Sequence, residues 1–273
     1  MPPSSQPEGE LIPPQYHEAH VRPVPDYVQE TTHPRGRSFF SAPGTYFLVA
    51  INCVVFLLMV LRGVSPSSPT PNQLLHFGAT NAALIFHGQW YRLLTATFVH
   101  VGLLHIATNM WCLWNLGLLG EPLIGPLGLV AVYMLTGIAG NLLSLGYSVW
   151  ARDYISVGAG ASGAVFGIAG ILIVLLSNHK LPIPSFELKR LRRSVIQFAA
   201  LNLIIGGATI FLPVIRIDNF AHLGGFLYGL ALGVPLVPRM TSGRTRYLNR
   251  QKLTFIGAAF FLSLFAYWIA NLR

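Results

Sequence analysis

The sequence predicts an all-α polytopic membrane protein, and three observations support that prediction. Of the 273 residues, 53% are hydrophobic and only 10% are charged, whereas a soluble domain carries about 25% charged residues. Beyond residue 44 the chain consists of apolar runs whose length suits a bilayer, which a helix spans with roughly 17–25 residues. Lys and Arg outnumber Asp and Glu by 18 to 9, and they cluster in alternate connections. An ordinary soluble enzyme is therefore nearly excluded.

The composition of residues 1–44 predicts a disordered, cytoplasmic amino-terminal tail. This segment holds nine of the nineteen prolines and five of the nine acidic residues. A segment of this composition buries too little apolar surface to fold. It also lacks the early apolar run and the small-residue cleavage site of a signal peptide.

Seven apolar runs follow the tail, and each is predicted to be a membrane-spanning helix. The runs cover residues 46–61, 101–119, 127–147, 157–176, 195–212, 220–237 and 253–270. The third, fourth and sixth are rich in glycine, as is common where membrane helices pack closely. Between the first two, residues 64–98 mix Pro and Ser with aromatic residues, which predicts an external loop on or partly in the membrane interface. A plain surface loop is the alternative.

The basic residues predict the orientation of the chain. Segments on the same side as the tail hold 13 Lys and Arg residues, and segments on the opposite side hold 5. Because Lys and Arg are enriched in cytoplasmic segments, the amino terminus is predicted to be cytoplasmic and the carboxyl terminus external, in the plasma (inner) membrane. The net charge of +9 then requires no nucleic-acid partner.

The residue types within the predicted spans argue against several mechanisms. None of the nine acidic residues falls in a span, which disfavours a transporter or channel and a protease that uses two aspartates. The HExxH motif of zinc proteases is absent, and Cys53 and Cys112 lie in apolar runs without a zinc or disulfide pattern. A metal site of His100, His105 and His222 is disfavoured, because residues five apart do not share a helix face.

Polar side chains instead recur near the beginning of alternate spans. The second span carries His105 and Asn109. The fourth span carries Ser162, and the sixth carries His222. All of these side chains lie within about two turns of the predicted outer end of their span. At 1.5 Å per residue, they lie on the order of 5–15 Å below the outer surface, where water can reach them. This common depth predicts that the side chains meet, although a structural hydrogen bond is the alternative for each one alone.

Small residues predict a close contact between the fourth and sixth spans. Each span carries glycines on one face: Gly163, Gly167 and Gly170 in the fourth, and Gly225, Gly229 and Gly233 in the sixth. The second set shares its face with His222. Close approach of the two backbones would bring the Ser162 hydroxyl within hydrogen-bonding distance of His222, as nucleophilic catalysis requires. Packing of small residues without chemistry is the alternative.

These residues resemble the motifs of the rhomboid family of intramembrane serine proteases. The run GASG at 160–163, followed by Phe166 and Gly167, is similar to the GxSG nucleophile motif of that family. The run AHLGG at 221–225 is similar to its catalytic-histidine motif, and His100, His105 and Asn109 match its HxxxxHxxxN pattern. The run WYR at 90–92 is similar to the Trp-Arg signature of its first external loop, and the resemblance as a whole covers about residues 40–237.

The resemblance implies a rhomboid-like six-helix core plus a carboxyl-terminal seventh transmembrane helix. The catalytic core would cover residues 45–238, with the external loop at 64–98. Residues 239–273 would form a cytoplasmic linker and the seventh helix.

The resemblance also implies a role for each residue of the site. Ser162 would attack the scissile carbonyl after His222 takes its proton, and His222 would then protonate the leaving amine. His105, Asn109 and the backbone N–H of Ser162 would form the oxyanion hole. Asp218 is expected to cap the sixth span rather than to act as a third catalytic residue.

Five further residues would support the site: His100, Gly160, Gly163, Phe166 and Arg92. His100 would have a structural role at the mouth of the site, and Gly160 would leave backbone room near the nucleophile. Phe166 stands where the family often has Tyr, and its ring could stack beneath His222. Arg92 would hold the external loop by hydrogen bonds.

The implied substrate is a transmembrane segment of another membrane protein, cleaved near the outer face. Such a segment must unwind locally, so one that contains Gly or other weak helix formers is expected. The implied partners are therefore membrane proteins and the lipid bilayer, with no cofactor, no metal and no nucleic acid. The rival hypothesis from another class is a proteolytically inactive rhomboid-like binder of membrane proteins.

Overall fold

Helices dominate the part of the chain that the computed structural model describes, which is residues 41–178, 181, 183–208, 217–237 and 243–272. In chain order these helices are α1 (Pro43–Leu61), α2 (Pro71–His76), α3 (Ala82–Phe86), α4 (Arg92–Thr95), α5 (Leu103–Ile124), α6 (Pro126–Trp150), α7 (Ser162–Leu175), α8 (Ser185–Ala208), α9 (Asn219–Leu236) and α10 (Arg244–Ala270). Within the described residues, the single isolated β-bridge pairs Thr80 with Gly158. The predicted all-α architecture is confirmed.

Three of these helices, α1, α6 and α10, are long and apolar enough to cross a membrane. Large apolar side chains on them are exposed, including Phe47 on α1, Leu127 on α6 and Phe260 on α10. Extensive apolar surface of this kind marks a membrane or protein contact rather than a surface in water. The chain is therefore an integral membrane protein, as the composition predicts.

Helix α7 forms the centre of the bundle. It packs against α5, α6 and α9, and eleven of its fourteen residues are buried. A helix that is apolar on all sides needs neighbours on all sides, which explains its central place. Around it, α1 packs on α5 and α6, α10 packs on α6 and α9, and α8 packs on α7 and α9.

The two predicted glycine faces meet at the contact between α7 and α9. A Cβ atom on Gly225 would collide with the carbonyl oxygen of Gly163, and one on Gly229 would collide with that of Gly167. The backbones of the two helices thus touch directly, which glycine permits because it has no side chain. This contact places the first turn of α9 beside the first turn of α7.

The fourth predicted span begins too early. Helix α7 begins at Ser162, whereas the apolar run begins at residue 157. Gly158 forms two backbone hydrogen bonds with Thr80, of 2.8 and 3.1 Å, and Gly160 adopts a φ of +136°. Such a φ is incompatible with a right-handed helix. Residues 157–160 are therefore an extended segment, Ala161 is the cap of α7, and Ser162 is the first residue of its helix rather than part of the second turn.

Two other helices are longer than their predicted spans. Helix α5 continues past Pro122 to Ile124, although the apolar run ends at residue 119. Helix α8 begins at Ser185, although the apolar run begins at residue 195. The basic residues between these two positions are predicted to lie in a connecting loop, whereas they lie in the first turns of α8. These residues are Lys189, Arg190, Arg192 and Arg193.

One acidic residue, Glu121, is buried in the helix bundle although it lies just beyond the predicted span 101–119. It lies in the last turn of α5 and is 3% exposed. Its carboxylate accepts hydrogen bonds from the backbone N–H of Gly44 (2.8 Å) and Thr45 (2.7 Å) and from the Thr45 hydroxyl (2.7 Å). The first N–H groups of a helix have no acceptor within it, and the Ala42 cap of α1 supplies none. Glu121 thus caps α1 from a neighbouring helix, an arrangement invisible to a reading that ends the span at residue 119.

Residues 64–98 form a packed segment rather than a plain surface loop. The segment contains α2, α3 and α4, and Leu74, Ile85 and Leu93 are at most 6% exposed. Leu74 packs with Met59 near the end of α1, while Ile85 and Leu93 pack with Leu142 of α6. The segment therefore rests on the ends of two long helices.

The predicted tail and linker lie largely outside the described residues. The structure does not describe residues 1–40 of the tail or residues 239–242 of the linker. Helix α1 begins at Pro43, so the last two residues of the predicted tail are helical and the boundary at residue 44 is wrong by that amount. The described residues from 41 to 272 belong to one compact unit.

Candidate active site

Ser162 and His222 lie side by side at the beginning of α7 and α9. The Ser162 Oγ and His222 Nε2 atoms are 2.8 Å apart, which is a hydrogen-bonding distance. His222 is 7% exposed. The glycine contact described above allows this approach, and the Ala221 carbonyl oxygen lies 3.2 Å from the position of a Cβ on Gly163. A serine hydroxyl held against an imidazole nitrogen is the arrangement that nucleophilic catalysis uses.

Asp218 caps α9, as the sequence predicts. Its Oδ1 atom accepts a hydrogen bond from the Ala221 backbone N–H at 2.9 Å. Its Oδ2 atom accepts one from the Ser144 hydroxyl of α6 at 2.5 Å. The other ring nitrogen of His222, Nδ1, has no hydrogen-bond partner among the described residues. Among those residues the His222 ring is hydrogen-bonded only to Ser162, and Asp218 caps the helix that carries His222.

Phe166 lies under the imidazole ring of His222. The two ring centroids are 4.4 Å apart and the planes differ by 18°, so the rings are stacked. Phe166 is one turn beyond Ser162 on α7, and it is 3% exposed. Phe198 of α8 contacts Phe166 with a centroid distance of 6.1 Å. The stacked ring restricts the plane in which the imidazole can turn.

The extended segment before Ser162 is held by residues 80–96. Besides the pairing of Gly158 with Thr80, the Gly160 backbone N–H donates to the Ala96 carbonyl oxygen at 2.9 Å. A Cβ atom on Gly160 would lie 2.7 Å from Cε1 and 3.0 Å from Nε2 of His105. Glycine is therefore required here twice, for its φ and for the space that His105 occupies.

His105 and Asn109 lie on α5 beside this segment. His105 Nδ1 accepts a hydrogen bond from the Val101 backbone N–H at 3.3 Å, which assigns the proton of the neutral ring to Nε2. The Asn109 Nδ2 atom is 3.8 Å from the position of a Cβ on Gly160, and it donates to the His105 carbonyl oxygen at 3.0 Å. An amide nitrogen carries two N–H donors, so one is left for another acceptor. Two donor side chains thus lie beside the segment that leads into Ser162.

His100 lies in the turn before α5 and not on the helix. It is fully buried, its Nδ1 atom donates to the Phe98 carbonyl oxygen at 3.2 Å, and its ring centroid is 5.4 Å from that of His105. The helical-angle reason for separating the two histidines is therefore wrong, since their rings are neighbours. Across the described ranges, His, Cys, Asp and Glu side chains form no group of three or more that could hold a metal ion.

Arg92 lies inside the packed segment 64–98. Its Nη1 atom donates to the carbonyl oxygens of Leu75 and Ala79, both at 2.8 Å, and its Nε atom donates to the Gln89 side chain at 2.7 Å. It is 7% exposed. The guanidinium thus joins α4 to α2 and to the chain that follows it, and the same segment continues to Ala96, whose carbonyl oxygen holds Gly160.

Sequence reasoning missed a buried polar group next to this segment. The Tyr133 hydroxyl of α6 lies 2.9 Å from the Thr97 carbonyl oxygen and 3.0 Å from Asn52 Nδ2 of α1. All three residues are at most 1% exposed. The signal was a tyrosine and an asparagine inside apolar spans, but a search restricted to ionisable residues and to the serine of the motif passes over them.

Comparison with known proteins identifies the family. A family model described as the rhomboid domain matches residues 87–239, more than half of the chain. Rhomboid protease GluP of Bacillus subtilis (strain 168) is 35% identical over 196 residues, 70% of this chain and 35% of the relative. RHOMBOID-like protein 5 of Arabidopsis thaliana is 36% identical over 189 residues, 68% of this chain and 55% of the relative. Rhomboid protease AarA of Providencia stuartii is 29% identical over 209 residues, 71% of this chain and 72% of the relative.

The match thus spans between a third and just over half of the first two relatives. The matched residues 87–239 include Arg92, His105, Ser162 and His222, so the whole candidate site lies within the rhomboid domain. The residues brought together in the structure are those whose spacing resembles the family motifs. The chain belongs to the rhomboid family.

Proposed function

We propose that this protein is an intramembrane serine endopeptidase of the rhomboid type. The observation that carries the proposal is the 2.8 Å distance between Ser162 Oγ and His222 Nε2 at the adjoining ends of α7 and α9. Relatives named rhomboid proteases, GluP and AarA, support it. Rhomboid proteases act on membrane-protein substrates within the bilayer, and the proposed substrate here is a transmembrane segment of another membrane protein.

In the proposed mechanism, Ser162 and His222 act as a dyad. The Ser162 hydroxyl donates its proton to His222 Nε2 as the oxygen attacks the scissile carbonyl carbon. The imidazolium then protonates the departing amine, which leaves an acyl-enzyme on Ser162. A water molecule next gives its proton to His222 and attacks the acyl carbon, and the imidazolium returns a proton to the Ser162 oxygen as the ester bond breaks. Phe166 holds the ring plane, and the Asp218 cap holds the turn that carries His222, so the dyad needs no carboxylate in contact with the ring.

The proposed oxyanion hole combines three donors. Nε2–H of His105 and the free N–H of Asn109 lie beside the backbone of Gly160, two residues before the nucleophile. The backbone N–H of Ser162 belongs to the first turn of α7, where N–H groups lack acceptors within the helix. Together they would stabilise the negative charge of the tetrahedral intermediate. Gly163, Gly160, His100 and Arg92 support this arrangement without reacting.

We also propose the six-plus-one arrangement, in which α1, α5, α6, α7, α8 and α9 form the core and α10 is the seventh transmembrane helix. The amino terminus would be cytoplasmic and the carboxyl terminus external, in the plasma (inner) membrane. The proposed domains are a tail that ends just before Pro43, a core from Pro43 to residue 238, and the linker with α10 at 239–273. Residues 64–98 would lie on the external face, and cleavage would occur near that face without a cofactor.

One experiment tests the dyad. The purified chain, reconstituted with a model transmembrane substrate, is compared with Ser162→Ala and His222→Ala, and the cleavage products are measured by mass spectrometry. Loss of one dyad member is expected to lower turnover by about 10⁴-fold or more. Cleavage by Ser162→Ala at the wild-type rate would refute the dyad.

A second reading distinguishes the inactive binder. A wild-type protein that captures the substrate but releases no product would favour a proteolytically inactive rhomboid-like binder. Covalent labelling of Ser162 by a fluorophosphonate, absent in His222→Ala, would count against that reading, because the reagent reports an activated hydroxyl.

A further inference from the structure

The first half of α8 carries a shallow, open depression of about 220 Å³ between four side chains of this one helix, three of them cationic and one apolar. The lining residues are Lys189, Arg192, Arg193 and Ile196. Their spacing of three, four and seven residues places all four on one face of the helix. We call this feature the basic groove.

The charge of the basic groove is unbalanced on its own helix. Glu187 is the one acidic residue in the sequence of α8, against four basic residues. Arg192 Nη1 donates to the Ser177 hydroxyl at 3.2 Å, which fixes one edge of its guanidinium. Because a guanidinium carries five N–H donors, this bond leaves donors for an anionic acceptor. Three cations on one helix face favour an anion between them.

The basic groove is separate from the candidate active site. Ser177, which Arg192 contacts, lies just beyond the end of α7, whereas Ser162 is its first residue. A helix of fourteen residues is about 21 Å long, so the two sites lie at opposite ends of α7.

The surroundings of the basic groove suit a lipid headgroup. Beyond Arg193 the helix becomes apolar, and Ile196, Leu201 and Ile204 are exposed. In the proposed six-plus-one arrangement α8 spans the membrane and these apolar side chains face the hydrocarbon, so the cations would lie where the chain passes from hydrocarbon to headgroups. Basic residues at this level, next to a spanning segment, attract anionic phospholipids.

We propose that the basic groove binds the headgroup phosphate of an anionic phospholipid. Arg192 and Arg193 would hold the phosphate oxygens by charge-assisted hydrogen bonds, with Lys189 as a further positive charge. Ile196 would contact the first part of an acyl chain. This binding lies outside the proteolytic function and does not depend on it.

The test measures lipid binding to the full chain in a neutral detergent by native mass spectrometry. The probes are phosphatidylglycerol and phosphatidylcholine with the same acyl chains. The variant Lys189→Gln/Arg192→Gln/Arg193→Gln removes the groove charges. The matched control, Arg244→Gln/Arg246→Gln/Lys252→Gln, removes three exposed positive charges from α10.

The groove variant is expected to bind phosphatidylglycerol at least about tenfold more weakly than wild type, because two guanidinium contacts to the phosphate and one further positive charge are lost. The α10 variant should stay within about twofold, and phosphatidylcholine should bind weakly to all three proteins. Equal loss in both triple variants would overturn the proposal, since it would indicate nonspecific surface charge. Equal binding of the two lipids to wild type would overturn it too.

Inorganic phosphate separates a lipid site from a site for a soluble anion. If a modest excess of inorganic phosphate displaces phosphatidylglycerol completely, the acyl chain contributes nothing and the lipid assignment is wrong. The thermal midpoint of each variant serves as the folding control and should change by only about 2 °C, because the substituted side chains are largely exposed. Should the triple variant unfold, the single change Arg193→Gln is measured instead, with an expected loss of about threefold.

Discussion

Asn109 lies one turn after His105 on α5, and its amide already donates one N–H to the His105 carbonyl oxygen at 3.0 Å. That bond holds the side chain against Gly160 before any substrate arrives. Preorganised donors stabilise developing charge without first reorienting, so they act on turnover more than on binding. The same reasoning applies to His105, whose ring is held by the Val101 N–H.

Replacing Asn109 by Ala should therefore lower kcat by about 10²-fold with little change in KM, as for loss of one oxyanion donor. Both constants are measured with a transmembrane substrate in proteoliposomes. Thr108→Ala is the matched control, because the neighbouring Thr108 hydroxyl is exposed and bonds only to carbonyls of its own helix. A change confined to KM would remove Asn109 from the oxyanion hole.

Asp218 influences His222 through the helix and not through the ring. Asp218→Ala should destabilise the protein by about 1 kcal/mol, as for loss of a helix cap, and reduce kcat. Asp218→Asn keeps an acceptor for the Ala221 N–H and should restore most of both. Thermal unfolding and cleavage rates check the pair. If Asp218→Asn were as inactive as Ser162→Ala, the carboxylate would have to act in the chemistry itself.

At the scale of elements, the position of α9 against α7 depends on glycines, which have no side chain to separate the two backbones. Gly225 and Gly229 each face a carbonyl oxygen of α7 with no room for a methyl group. Helix α7 carries Ser162 in its first turn, and α9 carries His222 in its first turn. The distance between the two backbones therefore sets the distance between these two side chains. Overpacking this contact would push the two side chains apart.

The change Gly229→Ala tests this contact. It should destabilise the protein by about 1–3 kcal/mol, because the added methyl group meets the backbone of Gly167, which cannot move aside as a side chain would. Gly257→Ala is the control, since Gly257 lies inside α10 with nothing within 4 Å of the added atom. That variant should be neutral or slightly stabilised, because Ala favours helix over Gly by about 1 kcal/mol. The free energy of unfolding in detergent is measured for both, and equal effects would contradict the argument.

Element boundaries show where sequence reasoning fails. Hydropathy alone cannot mark the beginning of α7, because residues 157–161 are as apolar as the helix that follows. The φ of Gly160 and its hydrogen bond to Ala96 depend on a segment more than sixty residues earlier in the chain. The capping role of Glu121 cannot be predicted from the sequence for a similar reason, because its partners Gly44 and Thr45 lie on another helix.

At the scale of the whole molecule, composition and motif spacing are sufficient to predict the membrane class and the helical architecture, and they select side chains that the structure brings together, such as Ser162 and His222. Those properties depend on the identity of residues and on their periodic spacing, which the sequence contains directly. The environment of His100 was not accessible in this way, because it depends on whether residue 100 lies on α5 or before it. The packing of residues 64–98 cannot be predicted from the sequence either, because three short helices show little hydrophobic periodicity.

The orientation of the whole chain gives a further prediction. Alkaline phosphatase fused after Arg273 should be active in intact bacterial cells, because the carboxyl terminus is proposed to be external and this reporter folds only outside the cytoplasm. The same reporter fused after Gly243, at the start of α10, should be inactive, because the basic residues of that region favour the cytoplasm. The reverse result would invert the proposed topology and move the candidate site to the cytoplasmic face.

The contact between Gly163 and Gly225 also affects how mutational screens of this protein would be interpreted. A screen scored by cleavage would find these glycines nearly as intolerant as Ser162, although they take no part in the reaction. Intolerance would then mark two classes of position, those that supply a reacting atom and those that keep a volume empty. The free energy of unfolding separates the classes, because a side chain added at Gly225 collides with the backbone of Gly163 and destabilises the protein, whereas Ser162→Ala removes a reacting atom and leaves this contact unchanged.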